Sequence, residues 1–185
     1  MSLVPLARIF TPFTVPSGHT WYVNGLLINT LSISNTGTHT PKRAGWSIWT
    51  GVSAGVAGTL IYAGANKATF APTGRTLSGV YTEFTVKMAL NQPIALAAGT
   101  YFLNVTPQCT NSSTCSGQLF YETDVEDALP AHRHGPPSIE DDSFLEYSGN
   151  SSYYVAATTQ GAGLDLFSFG IEGTCVTGTG AACSF

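Results

Sequence analysis

Apolar and polar positions alternate with a period of two over much of this chain, and no stretch keeps apolar residues at helical spacing. The alternation is cleanest over 79–90. Val80, Thr82, Phe84, Val86 and Met88 fall on one side, and Tyr81, Glu83, Thr85 and Lys87 on the other. One face is therefore expected to be core and the other, Glu83 included, to face solvent. Further strands are expected at 6–15, between Pro5 and Pro16, at 20–33 with a break near Asn24-Gly25, and at 44–50. Residues 59–63 and 67–71 read as a hairpin turning at Gly64-Ala65-Asn66. Strands at 94–96, 100–106, 117–123, 144–147, 153–157 and 164–173 complete the series, with Gly and Pro marking turns between them. About a dozen short strands with close, regular turns predict an all-β, two-sheet antiparallel sandwich of jelly-roll type, a closed barrel being the alternative. No repeat or linker is visible, so residues 1–185 read as one β-sandwich domain.

Charge narrows the class. Only 10% of residues are charged, against about 25% in globular domains generally. Ser, Thr, Asn, Gln and Gly must supply the polar surface, as is common in secreted β proteins. Net charge is −4, but residues 1–82 carry +5 with no acid, and residues 83–185 carry −9. No basic cluster would neutralise phosphates, so nucleic acid is not expected as a partner. No apolar run approaches the roughly 20 residues of a membrane span, so membrane insertion is not expected either. Met1-Ser2-Leu3-Val4-Pro5 lacks the basic and apolar regions of a leader. An exported chain is therefore expected to be a mature form.

The four cysteines fall into two local pairs, Cys109 with Cys115 and Cys175 with Cys183, each in Gly-, Ser- and Thr-rich surroundings. Four cysteines admit three connectivities. The local pairing 109–115 and 175–183 is favoured because short loops close readily, and the Cys-x-x-Cys spacing of zinc sites is absent. Disulfides imply an oxidising, extracellular location.

Several segments together resemble a family of bacterial extracellular β-sandwich domains. They are Thr14-Val15-Pro16-Ser17-Gly18-His19-Thr20-Trp21, Gly45-Trp46-Ser47-Ile48-Trp49-Thr50-Gly51-Val52-Ser53, Gly58-Thr59-Leu60-Ile61 and Pro72-Thr73-Gly74-Arg75. Leu96-Ala97-Ala98-Gly99-Thr100-Tyr101-Phe102-Leu103-Asn104-Val105 with Pro107, and Phe167-Ser168-Phe169-Gly170-Ile171-Glu172-Gly173-Thr174, extend the likeness over about residues 10–174. Domains of that family occur in exported surface proteins with a C-terminal sorting anchor of the PEP-CTERM type. The resemblance implies export and a sandwich fold, and it brings no activity and no catalytic residues. The chain departs from the family pattern at Ala181-Ala182-Cys183-Ser184-Phe185, where no anchor helix or basic tail is seen.

Catalytic patterns are weak. The histidines are His19, His39, His132 and His134, and no serine lies in a Gly-x-Ser-x-Gly elbow. Glu83, Glu122, Glu146 and Glu172 are the carboxylates from which a glycosidase pair could be drawn. The chain reads as a non-enzyme. The longest irregular stretch runs from Asp124 to Asp142 and holds six carboxylates. Asp124, Asp127, Asp141 and Asp142 are candidate ligands for calcium, which takes several oxygens. His132 and His134 could serve a transition metal, and a solvated acidic loop is the plainer reading.

Aromatics suggest a second kind of site. Trp46 and Trp49 are three apart, so a continuous strand sends them to opposite faces, one to the core and one outward. Tyr121, Tyr147, Tyr153 and Tyr154 flank the acidic stretch. Trp49, Tyr121, Tyr147 and Tyr153 form the candidate sugar-stacking set, with core packing as the alternative use of these rings. Asn104, Asn111 and Asn150 match the glycosylation pattern. The expected function is thus a non-catalytic secreted or cell-surface binding module with a glycan ligand. The alternative is a structural subunit that self-associates by strand addition into a fibre, layer or matrix, with residues 3–10 as the donated strand.

Overall fold

The computed structural model describes residues 7–32, 41–77, 81–108, 119–121, 123–124, 144–147, 154–156 and 166–183. They are all-β, and every strand pairing is antiparallel. The strands are β1 (Ala7–Val15), β2 (His19–Ser32), β3 (Arg43–Thr50), β4 (Thr59–Leu77), β5 (Tyr81–Leu96), β6 (Gly99–Gln108) and β7 (Leu119–Tyr121). Then follow β8 (Thr123–Asp124), β9 (Phe144–Tyr147), β10 (Tyr154–Ala156), β11 (Leu166–Phe167), β12 (Phe169–Thr177) and β13 (Ala182–Cys183). Eleven strands form one sheet in the order β10-β9-β1-β6-β3-β4-β5-β2-β12-β13, with β7 also on β2, and β8 pairs with β11 apart from it. The sheet is curled into a half-barrel.

Two strands produce the curl by changing partner part-way. β1 pairs with β9 up to Phe10 and with β6 from Thr11. β4 pairs with β3 up to Lys67 and with β5 from Ala68. Corner strands of this kind fold a sheet back over its own apolar face. The walls β1-β6-β3 and β5-β2-β12 accordingly share one core. Val15, Ile48, Leu103 and Val105 from the first pack with Val23, Leu26, Ile28, Val86, Met88 and Leu96 from the second.

Bulges keep the apolar residues inward. On β2 the core-facing positions are odd at Trp21 and Val23 and even at Leu26 and Ile28. The register skips Asn24 between Val23 and Gly25, and that extra residue absorbs the change of parity. The break expected near Asn24-Gly25 is this bulge within a single strand. On β5 the residues between Ala89 and Ile94 face the same gap, so 81–90 and 94–96 belong to one strand.

Two expectations are corrected. The hairpin at Gly64-Ala65-Asn66 does not form, because β4 runs unbroken through it. These residues are the corner at which β4 leaves β3 for β5, and small side chains serve a corner as well as a turn. The indole of Trp46 lies across Gly64, where an added Cβ would meet Cζ2 at 2.8 Å. Glu83, expected in solvent, is 1% exposed. Opposite it the register passes from Pro72↔Phe84 to Thr76↔Thr82, leaving Thr73, Gly74 and Arg75 as a bulge. Gly74 takes a φ of 85° there, a left-handed conformation that glycine adopts without a steric penalty. Arg75 then forms an ion pair with Glu83. Strand alternation gives the side on which a residue lies; whether a neighbouring bulge covers it is a tertiary matter.

Candidate binding face at the disulfide end

The period of β2 places His19, Trp21 and Val23 on the inner side of the sheet, with Val23 fully buried as the anchor. Register then brings Cys175 of β12 opposite Trp21, and Cys183 of β13 opposite Cys175. The two cysteines form the expected disulfide, with Cα atoms 4.9 Å apart. From the facing wall β1 contributes Phe13, directly opposite Tyr101 of β6.

These strands assemble a row of rings. Phe13 stacks on Trp21 at 6.1 Å with planes 12° apart, and on Tyr101 at 5.6 Å and 26°. Phe169 tilts against Phe13 at 6.2 Å. All four are half-buried and rest on the main core. Each such pair contributes about 0.5–1.5 kcal/mol beyond its buried area. The Tyr101 hydroxyl donates to the Ala97 carbonyl at 3.0 Å, and the Tyr62 hydroxyl to the Ala95 carbonyl at 3.3 Å. Burial first, and Tyr62 second, raise the Tyr101 phenol above its ordinary value of 10.0. Its hydroxyl therefore stays neutral at physiological pH.

Backbone bonds stitch the adjoining turns together. The Gly178 N–H donates to the Gly18 carbonyl at 2.7 Å, and the His19 N–H to the Pro16 carbonyl at 3.1 Å. Nδ1 of His19 lies 3.0 Å from the Ser17 carbonyl oxygen. That oxygen can only accept, so Nδ1 carries the proton and Nε2 keeps the lone pair of the neutral ring.

Half-buried, nearly parallel rings beside the Tyr101 and Tyr62 hydroxyls suit stacking on a sugar or another apolar face. The two carboxylates among the described side chains are both in ion pairs, Glu83 with Arg75 and Glu172 with Lys87 at 2.5 Å. Thr85 donates to Asn29 at 2.8 Å and Asn29 to Ser168 at 2.9 Å, a self-satisfied polar row across β5, β2 and β12. A cleft among Ile9, Ile28, Leu103 and Phe169 has room for about one water.

Of the residues expected to bind sugar, Trp49 lies away from this row. Trp49 faces away from the main core, opposite to Trp46. It packs in a second cluster with Phe10, Val52 and Phe102, edge-on to Phe10 at 5.7 Å. Its indole N–H donates to Ser47 at 2.8 Å. Tyr121 lies opposite Thr30, Tyr147 opposite Ala7, and the calcium candidate Asp124 opposite Leu166. Tyr153, Asp127, Asp141, Asp142, Cys109, Cys115, Asn111, Asn150, His132 and His134 lie outside the described residues. Asn104 is 5% exposed and its Nδ2, the atom a glycan would modify, donates to the Ile9 carbonyl at 2.9 Å. Phe13 and Tyr101 were not singled out by sequence, because only the pairing of β1 with β6 sets them side by side.

No family model matches this chain, and no curated protein or solved structure gives a significant match.

Proposed function

We propose that this chain is a non-catalytic, secreted or cell-surface binding module that takes a glycan at the disulfide end. The observation that carries this reading is the half-buried row Trp21–Phe13–Tyr101. Low charge content and the Cys175–Cys183 disulfide support an extracellular setting. Export also follows from the resemblance to bacterial surface β-sandwich domains. In its finer architecture the chain is proposed to be a jelly-roll sandwich, with β1-β6-β3 and β5-β2-β12 as the two layers and β4 as the corner between them. Calcium bound by Asp124, Asp127, Asp141 and Asp142 remains part of the proposal, as the chemistry of clustered carboxylates supports it.

A glycan-array screen of the purified chain, with calcium and with chelator, tests the reading. Binding to one sugar class, lost in Trp21→Ala and in Tyr101→Ala but kept in Trp49→Ala, is the expected result. Binding lost with chelator would bring the acidic stretch into the site. A silent array in both conditions would overturn the glycan assignment.

One observation favours self-association as a second reading. The outer edge of β12 from Phe169 to Thr174 has no partner strand among the described residues. Such an edge accepts an added strand. Concentration-dependent polymers in sedimentation and electron microscopy, lost on removal of residues 1–10, would establish it.

A further inference from the structure

We propose that His19, Cys175 and Cys183 form a redox-gated site for a zinc ion, with the disulfide and the metal as mutually exclusive ties between β12 and β13. One potential ligand atom from each of the three residues lies within 4.8 Å of the other two. Zinc holds thiolate sulfur at about 2.3 Å and imidazole nitrogen at about 2.0 Å. Its ligand atoms therefore stand about 3.5–4 Å apart. Opening the sulfur–sulfur bond and small side-chain rotations bring the three into that range. Two thiolates and an imidazole are the donors a borderline-soft cation prefers, and water completes a fourth position.

Backbone hydrogen bonds hold this scaffold alongside the disulfide. Cys175↔Cys183 and Val176↔Ala182 are cross-strand pairs. The turn between them is closed by Thr177 N–H to Ala181 at 2.8 Å and Gly180 N–H to Thr177 at 2.8 Å. The Gly178 N–H to Gly18 bond ties this turn to the one preceding His19. His19 is already oriented by the Ser17 carbonyl, as metal-binding histidines usually are by a second acceptor, and Nε2 is left to coordinate. Cys175 is 2% exposed while His19 and Cys183 are half-buried, so the site is sheltered but has an entry side.

The chemistry balances. A dithiol reductant transfers two electrons and two protons to the cystine, giving two thiols, and is itself closed to a disulfide. Zinc then displaces both thiol protons to solvent and forms two Zn–S bonds and one Zn–N bond. A chain still in a reducing compartment would keep β13 docked through the metal until oxidation replaces it.

The test titrates cobalt(II), a spectroscopic stand-in for zinc, into the full chain after reduction and anaerobic removal of the reductant. The same titration is run on the oxidised chain. The expected result is one cobalt per reduced chain with sulfur-to-metal charge-transfer absorption, displaced by zinc, and no such band in the oxidised chain. Affinity should fall at least tenfold in His19→Gln. The band should vanish in Cys175→Ser/Cys183→Ser and persist in Cys109→Ser/Cys115→Ser. A band that follows Cys109 and Cys115, or is indifferent to His19, would overturn the proposal. So would loss of the β far-UV spectrum on reduction, since the site needs its backbone intact.

Discussion

The indole N–H of Trp46 donates to the buried Oδ1 of Asn66 at 2.8 Å, and this bond sits at the corner where the sheet folds. The Asn66 amide nitrogen donates onward to the Ala89 carbonyl at 2.9 Å and to Asn91 Oδ1 at 3.0 Å. One side chain thus links β3, β4 and β5. Asn66→Ala removes all three bonds, each contributing roughly 1 kcal/mol. A loss of about 3 kcal/mol is expected in urea denaturation. A loss below about 1 kcal/mol would show that the corner does not depend on this amide.

The Arg75–Glu83 pair is asymmetric, with side-chain exposures of 66% and 2%. Arg75→Ala strands a buried carboxylate and should cost about 3 kcal/mol. Glu83→Gln leaves an exposed cation that water solvates, and should cost roughly 1 kcal/mol. The double variant is expected to be more stable than Arg75→Ala alone, a non-additivity measurable by thermal melting. Equal losses in the two single variants would contradict the burial argument.

Gly64→Ala places a Cβ within 2.8 Å of the Trp46 ring. The indole is wedged between β4 and the core, so it moves only by loosening that packing. A destabilisation of about 1–3 kcal/mol is expected, together with a red shift of tryptophan fluorescence. An unchanged spectrum would show that the ring relocates freely.

Alkaline stability follows from Tyr101, whose folded value lies above the ordinary 10.0. As pH rises past about 10, the unfolded chain loses this proton before the folded one does. The folded state then binds more protons than the unfolded state, so stability falls with increasing pH until the folded value is passed. Tyr101→Phe should flatten the fall in Tm as pH rises past about 10. A slope identical to that of the parent chain would assign the effect elsewhere.

Much of the fold was legible in the chain. Alternation marked β3, β5 and β6, the prolines at 5 and 16 bounded β1, and the break expected near Asn24-Gly25 coincides with the β2 bulge. The local pairing of Cys175 with Cys183 was readable from their short separation. The corner at Asn66 was read as a hairpin because Gly-Ala-Asn satisfies turn chemistry and corner chemistry alike. The row at the disulfide end was less legible still: Trp49 stood out as an aromatic, and it packs half-buried against Phe10 and Phe102 instead of joining that row.

By itself the sequence determined the all-β class, the positions of most strands, the low-charge surface and one disulfide. These depend on local periodicity, turn residues and short loop closure, which act over a few residues. Only the tertiary structure decided that β1 and β4 change partners and that Arg75 covers Glu83. It alone set Trp21, Phe13 and Tyr101 in one row and brought His19 beside the cysteines. Each of those depends on pairing between strands far apart in the chain. Such register is selected by burial of the whole core, and no local pattern encodes it.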